Sequence, residues 1–512
     1  MAPCSNACPA GENIQAWLAL AQAGRYREAW QTLVADNPLP SVHGRVCYHP
    51  CESSCNRAAV DSAVSIHAVE RFLGDRAHEE GWTLPIVAPA SSKRVLVVGA
   101  GPSGLSAAYH LIRLGHEVEI HEAGSLPGGM MQFGIPAYRL PRDHLLKEIR
   151  AIEAMGVRII LNHKVEDVLA EQASGGFDAV FLAIGAQIGK RIDIPAEDAS
   201  RLLTAVSLLR GAASGEAPKL GRRVVVYGAG NTAMDAARSA KRLGAEEALV
   251  VFVSDRAHME ARAFEAEEAV EEGVKIKWLT RINALEGADL TVERMALDAE
   301  GRPQPTGEFE TLPADAVVLA LGQQVERALL DNIPGATFQP DGAVVVDRNM
   351  MTGHAGIFAG GDMAPGARTV TAAVGHGKTA ARRIDAWLRA HPAPEAQTPP
   401  VVSFDMLHLP VYSDAARSVQ TELPLAERRT GFAEVQAGLG ENDARYEAKR
   451  CLSCGACFEC DQCYAACPEQ AIEKLGPGLR YRFLYDRCTG CAVCFETCPV
   501  HAIEMIPEPE RG

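Results

Sequence analysis

Ten of the fifteen cysteines lie between 451 and 498, in "CLSCGACFECDQCYAACP" and "CTGCAVCFETCP". Cys457, Cys460, Cys463 and Cys467, before Pro468, follow C-x₂-C-x₂-C-x₃-C-P, and Cys488, Cys491, Cys494 and Cys498, before Pro499, repeat it. Thiolates at that spacing hold 4Fe–4S clusters, and in two-cluster ferredoxins each fourth cysteine ligates the other cluster. Zinc competes for thiolates, but zinc ribbons use pairs of C-x₂-C rather than two four-cysteine runs ending in Cys-Pro. Cys451 and Cys454 are left over. The other five cysteines, Cys4, Cys8, Cys47, Cys51 and Cys55, are one too many for one cluster and too few for two.

Two glycine-rich turns carry the second chemistry. Gly99, Gly101 and Gly104 form G-x-G-x-x-G between the apolar run "KRVLVV" and a helical stretch, and Glu122 ends the next strand. Glycines there let backbone approach a pyrophosphate at a helix N-terminus, while the acid takes ribose hydroxyls. Gly228, Gly230 and Ala233 form the second turn, G-x-G-x-x-A, after "RRVVVY". Its following strand ends in Val253, Ser254, Asp255 and Arg256, where an acid suits a ribose hydroxyl and an arginine a 2′-phosphate. This reading favours NADH over NADPH. "GIFAGGDM" supplies Gly361 and Asp362 beside the first nucleotide, with His376 as a packing or flavin-contacting residue. Two nucleotide sites imply hydride transfer from nicotinamide to flavin, which needs no general acid or base, so no catalytic side chain is assigned. With no cysteine from 56 to 450, disulfide reductase chemistry is excluded. Electrons must leave through the cysteine-rich tail.

The elements that position these groups read as several domains, as 512 residues exceed one comfortable core. The expected fold is α/β: a helical iron–sulfur domain at 1–88, a first doubly wound nucleotide domain at 89–190 and 331–390, an inserted second one at 191–330, a linker and tether at 391–446, and a ferredoxin-like α+β domain at 447–512. Helices are expected within 9–40, where Ile14, Trp17, Leu18 and Ala21, then Ala29, Trp30 and Leu33, recur at helical spacing. "HPAPEAQTPP" at 391–400 reads as an exposed linker. The net charge of −15 argues against nucleic-acid or anionic-lipid partners. No apolar run reaches the roughly 18 residues of a membrane helix. The N-terminus lacks a secretory signal pattern, so a cytoplasmic protein is expected.

From the N-terminal cysteines to "GIFAGGDM", the chain resembles the glutamate synthase small subunit and the flavin half of dihydropyrimidine dehydrogenase. The resemblance rests on "NPLP", "GRVCYHPCESSC", "VGAGPSGL", "GGMMQFGIP", "GAGNTAMDAAR" and "AGGDM". It implies FAD in the first turn and nicotinamide in the second, with Gly129, Arg139 and Asn231 among the cofactor-binding residues. NADPH-using relatives carry Tyr-Arg-Arg where this chain has Phe252, Val253 and Ser254. Relatives also open with "EA-x-RCL" and a C-x₂-C; here "EAKRCLSC" stands at 447–454, and the chain begins too late for an N-terminal copy. The resemblance therefore implies that Cys451 and Cys454, in cis or from a dimer partner, complete a cluster with Cys4 and Cys55. Cys8, Cys47 and Cys51 hold a second whose fourth ligand is Glu70. The competing reading leaves Cys451 and Cys454 as spare thiols. Four 4Fe–4S clusters follow, in the order nicotinamide, FAD, Glu70 cluster, Cys4/Cys451 cluster, then the two tail clusters.

The expected function is an NAD(P)H-dependent flavin and iron–sulfur oxidoreductase, either the electron-transfer subunit of a larger catalytic enzyme or a free-standing NAD(P)H:ferredoxin oxidoreductase. It could act as a homodimer or hetero-oligomer. A redox-sensing flavoprotein without turnover is the alternative of another class.

Overall fold

A computed structural model describes all residues except 87, 197, 393–398, 410–413 and 508–512, and the side chain of 199. The greater part of the expected linker at 391–400 thus lies outside the described residues. The chain divides into two compact units: Met1–Leu84, Pro394–Gln420 and Gly438–Gly512 in one, and Pro85–Ala393 with Thr421–Ala437 in the other.

In the second unit, β1 (Arg94–Val98), β2 (Glu117–His121), β3 (Arg158–Ile160) and β4 (Ala179–Leu182) begin a parallel sheet. The chain then builds another parallel sheet from β5 (Leu202–Thr204), β6 (Arg223–Tyr227), β7 (Glu247–Val251), β8 (Lys275–Lys277) and β9 (Ala316–Leu319). It returns with β10 (Ile357–Ala359), which pairs with β4. The strand orders are β10-β4-β1-β2-β3 and β5-β9-β6-β7-β8. The chain thus leaves the first sheet after β4, builds the second, and rejoins the first through β10. Near-continuous Val, Ile and Leu runs make these strands, because both faces of a parallel sheet are covered. The sequence reading lacked the antiparallel sheet of Thr280–Glu286, Asp289–Leu297 and Pro303–Pro313. Its last strand is exposed and polar, which leaves no apolar run to read.

The first unit joins the N-terminal helices to the cysteine-rich tail. The expected helices form at Ile14–Gln22 and Tyr26–Val34, and bury Ile14, Trp17, Leu18, Trp30 and Leu33 in a core completed by Val402, Leu407, Ala448, Leu452 and Cys454. The helix Glu441–Lys449 is fastened here by two motif residues. Glu447, fully buried, accepts from Ser65 N at 2.8 Å, Ser418 N at 2.6 Å and Arg450 at 2.9 Å. Arg450 also donates to the carbonyls of Ser62, Ala63 and Ala415 and pairs with Asp61. Removing Glu447 strips Arg450 of one of its two carboxylates and leaves the Ser65 and Ser418 amides without their acceptor, at about 3–5 kcal/mol in all. Glu447→Ala is therefore expected to lower the unfolding free energy by that amount; a denaturant titration giving less than about 1 kcal/mol contradicts this account.

Candidate redox site

Each glycine turn sits where its sheet reverses direction, the crevice in which open α/β sheets bind ligands. β1 runs into Gly99, whose φ is +105° and whose Cβ, were there one, would stand 2.6 Å from the Ala183 carbonyl beyond β4. The second sheet repeats this: Gly228 has φ +128°, and a Cβ there would meet the Ala320 carbonyl at 2.3 Å. The third residue of each motif, Gly104 and Ala233, is buried. The middle glycines differ in kind. A Cβ on Gly101 would find only Gly129 within 4.0 Å, and one on Gly230 only Glu260 at 3.7 Å. These open cradles stand at the N-termini of helices Pro102–Arg113 and Asn231–Arg242, and fit phosphates approaching the backbone.

Around the first cradle, Glu122 accepts from Ala100 N at 2.8 Å and Gly124 N at 2.7 Å, which pins the carboxylate beside the turn. Its remaining lone pairs suit ribose hydroxyls. Gly361 packs on Ser103 and donates its N–H to His376 Nδ1 at 3.1 Å. Burial pushes Asp362 up to about 6, against the pull of Arg368.

Two expected cofactor residues have other partners. Arg139 lies 2.7 Å from Asp235 and 2.5 Å from Glu265, in a buried network where Arg238 and Arg242 cover the Tyr138 ring. Asp255 accepts from Ala257 N, His258 N and His258 Nδ1, so hydrogen bonds within its own turn hold it below the usual carboxylate range. Arg256 beside it is exposed, 3.9 Å from Glu267. At the helix start, Asn231 Oδ1 accepts from Arg262 N at 2.8 Å.

The cysteines gather into sets. Cys4, Cys55, Cys451 and Cys454 lie so close that each thiolate would repel the other three. All four come from one chain, and Asn56 Nδ2 reaches Cys454 Sγ at 3.4 Å. Cys8, Cys47 and Cys51 are mutual neighbours, and Glu70 acts on Cys8 and Cys51. Sequence reading missed what surrounds Glu70: Asn37 Nδ2 donates to it at 2.8 Å and to Glu12 at 3.0 Å, with His43 Nδ1 alongside at 2.8 Å. The "NPLP" motif contributes that asparagine, but nothing local marks Glu12 or His43 as its neighbours. In the tail, Cys457, Cys460, Cys463 and Cys498 are mutual neighbours, as are Cys488, Cys491 and Cys494.

One backbone device recurs. His49, Ser453, Glu459 and Gly490, at φ 53°, 56°, 62° and 71°, each donate N–H to the sulfur two residues earlier, at 3.4 Å. Ala471 and Ala502 donate to Cys467 at 3.3 Å and Cys498 at 3.2 Å. Left-handed backbone costs non-glycine residues about 1 kcal/mol or more each and persists where the surroundings over-determine it. Amides aimed at sulfur stabilise thiolate ligands and tune potential. Burial pushes Cys451 up to about 12 and Cys463 up to about 11, so a metal must displace these protons. The soft four-sulfur sets fit iron–sulfur clusters.

Asp362 supplies a pH test. Its raised value makes the folded state prefer the protonated acid, so the stability this group contributes is present below about 4 and lost as pH rises through about 6. Unfolding Asp362→Asn beside the parent should show the parent losing roughly 3 kcal/mol relative to the variant over that interval. A constant difference from pH 4 to 7 contradicts the burial argument.

The sequence profile described as pyridine nucleotide-disulphide oxidoreductase matches residues 93–377. That for dihydropyrimidine dehydrogenase domain II, 4Fe–4S cluster, matches 1–82, and the 4Fe–4S dicluster domain matches 444–505. The chain is 38% identical to the NADP(+)-dependent formate dehydrogenase subunit beta of Moorella thermoacetica, over 88% of this chain and 70% of that protein. It is 36% identical to the NADPH-Fe(3+) oxidoreductase subunit beta of Geobacter sulfurreducens, over 88% and 75%, and 32% identical to the glutamate synthase [NADPH] small chain of Escherichia coli, over 75% and 88%. Among solved structures, FprA from Mycobacterium tuberculosis shares the fold at TM-score 0.50 and 20% identity, over 59% of this chain and 85% of that one.

Proposed function

Because this chain belongs to the pyridine nucleotide-disulphide oxidoreductase family, we propose that it is an NADPH-dependent flavin and iron–sulfur oxidoreductase working as the electron-transfer subunit of a larger enzyme. The observation that carries this reading is the approach of Cys451 and Cys454 to Cys4 and Cys55. Only two residues separate Cys454 from Cys457, so the N-terminal set is covalently adjacent to the ferredoxin sets. Electrons therefore have a path through one unit of the protein.

Cys4, Cys55, Cys451 and Cys454 would hold one 4Fe–4S cluster, and Cys8, Cys47, Cys51 and Glu70 a second, with Asn37 orienting the glutamate. Cys457, Cys460, Cys463 and Cys498 would hold a third, and Cys488, Cys491, Cys494 and Cys467 a fourth. When bound, FAD takes electrons in pairs from nicotinamide and gives them up singly, which one-electron clusters require. Gly99, Gly101 and Gly104 admit its pyrophosphate and Glu122 its ribose. Gly228, Gly230 and Ala233 do the same for the nicotinamide nucleotide.

The preference for NADH rested on Asp255 beside Arg256 and on Phe252, Val253 and Ser254 standing where NADPH-using relatives carry Tyr-Arg-Arg. With that carboxylate engaged in its own turn and Arg256 exposed, NADPH is the better reading, and the similar proteins named for NADP agree in kind. The exit is proposed at the tail's second set, where Cys488 and Cys491 are exposed and Tyr485 is 84% exposed. The relatives are named as subunits or a small chain, and a catalytic subunit binding at this set suits a wire better than a diffusing ferredoxin.

Gentle anaerobic purification from the native source tests this: a large subunit should co-elute in stoichiometric amount, and NADPH should bleach the flavin faster than NADH. A chain that elutes alone and reduces soluble ferredoxin overturns the subunit reading. Cys451→Ser with Cys454→Ser should remove about four iron atoms per chain, one cluster's worth. Flavin bleaching should persist while electron delivery beyond it stops. Retention of all the iron would mean that the pair are spare thiols.

A further inference from the structure

A cluster of metal-ligating side chains lies outside every site described above, at the ends of β2 and β3. His121, the last residue of β2, is buried to 5% exposure. Its Nε2 stands 2.7 Å from Glu119, and its Nδ1 stands 3.0 Å from Oε1 of Glu171 without forming a hydrogen bond. His163 Nε2 lies 3.0 Å from the same oxygen. The two imidazole rings are 4.4 Å apart.

These contacts fix the roles of the ring nitrogens. Glu119 is paired with Arg158, so it stands as a carboxylate and accepts, which puts the proton of His121 on Nε2. In the neutral ring Nδ1 is then a lone pair 3.0 Å from a carboxylate oxygen and out of hydrogen-bonding line with it. Two lone pairs at 3.0 Å repel, and a cation between their owners turns the repulsion into coordination. Histidine held by a carboxylate on one nitrogen and offering the other is the arrangement that orients imidazole ligands. His121 Nδ1, His163 Nε2 and a Glu171 oxygen all lie within 4.8 Å of one another. Ligands of tetrahedral zinc, at about 2.0–2.1 Å from the metal, stand roughly 3.3 Å apart.

We propose that His121, His163 and Glu171 bind a zinc ion through those three atoms, with water in the fourth position. Two imidazoles and one carboxylate suit zinc over magnesium or calcium, and the absence of sulfur separates this site from the iron sites. The surroundings point to a bracing role. His163 N donates to the Glu122 carbonyl at 2.9 Å, and Asn162 N to the Gly124 carbonyl at 2.9 Å. Zinc would therefore clamp the turn after β3 onto the segment carrying Glu122. A second consequence follows: flavin should be retained more firmly by the zinc-loaded protein.

The test uses the anaerobic holoprotein, passed briefly over a chelating resin and dialysed against low-micromolar zinc(II). One zinc per chain is expected, with iron undiminished, and X-ray absorption at the zinc edge should show only nitrogen and oxygen neighbours at about 2.0–2.1 Å. His163→Ala should lose that zinc while keeping iron and flavin. Should that variant shed flavin on purification, Glu171→Gln, which keeps shape and removes charge, should bind zinc at least tenfold more weakly. Three outcomes overturn the proposal: no zinc uptake, sulfur neighbours at about 2.3 Å, or equal zinc in parent and variants.

Discussion

Glu447 and Arg450 form a buried ion pair whose remaining bonding capacity goes to backbone amides and carbonyls from 62–65 and 415–418. Burying two charges costs several kcal/mol of hydration, and such pairs rarely yield net stability over an apolar replacement. What this one supplies is register. Arg450 immediately precedes Cys451, so fixing its guanidinium by acceptors on five residues fixes where the next four residues go. Leu452 and Cys454 then enter the core of the N-terminal helices, and two cysteines distant in sequence meet Cys4 and Cys55. A hydrophobic anchor alone would tolerate a slip by one residue. A carboxylate accepting from Ser65 N, Ser418 N and Arg450 does not.

The cysteine runs and glycine turns were legible because each is a local spacing with a local mechanism. Even the internal repeat of the tail translates directly: Glu459 and Gly490 donate to matching sulfurs, Asp461 and Ala492 share a left-handed turn, and Gln470 and His501 another. Other features depend on pairs that no spacing encodes. Asn37 meets Glu70 across 33 residues, and Arg139 meets Asp235 across 96. Arg139 stands in a motif-rich stretch, and the resemblance places it among the cofactor-binding residues. Two carboxylates supplied by the inserted domain claim it instead. Asp255 misled for a nearer reason, since an Asp followed by small and polar residues can cap its own turn as easily as bind a ribose.

The two parallel sheets show how one steric rule serves twice. In each, the strand that begins the fold and the strand that crosses back beside it leave the sheet together, and backbone must pass backbone at the exit. Gly99 against Ala183 and Gly228 against Ala320 are the same contact made by unrelated side-chain surroundings. The middle glycine is selected differently, by what must approach it from outside. One motif therefore records two constraints, one belonging to the fold and one to the ligand.

Hydride transfer sets a stricter demand than electron transfer, because the nicotinamide and flavin domains must hold their nucleotides in contact geometry. The buried network between them answers that demand. Tyr138 and Arg139 of the first domain lie among Asp235, Arg238, Arg242 and Glu265 of the second, and Arg242 and Glu272 pair with neither exposed. The returning strap adds to it: Arg242 donates to the Gly431 carbonyl at 3.0 Å, Arg429 to that of Glu271 at 2.7 Å, and Val435 N to that of Tyr138 at 2.9 Å. No cysteine lies between 56 and 450, so the ion pairs that join these domains have no redox disulfide to accommodate between them.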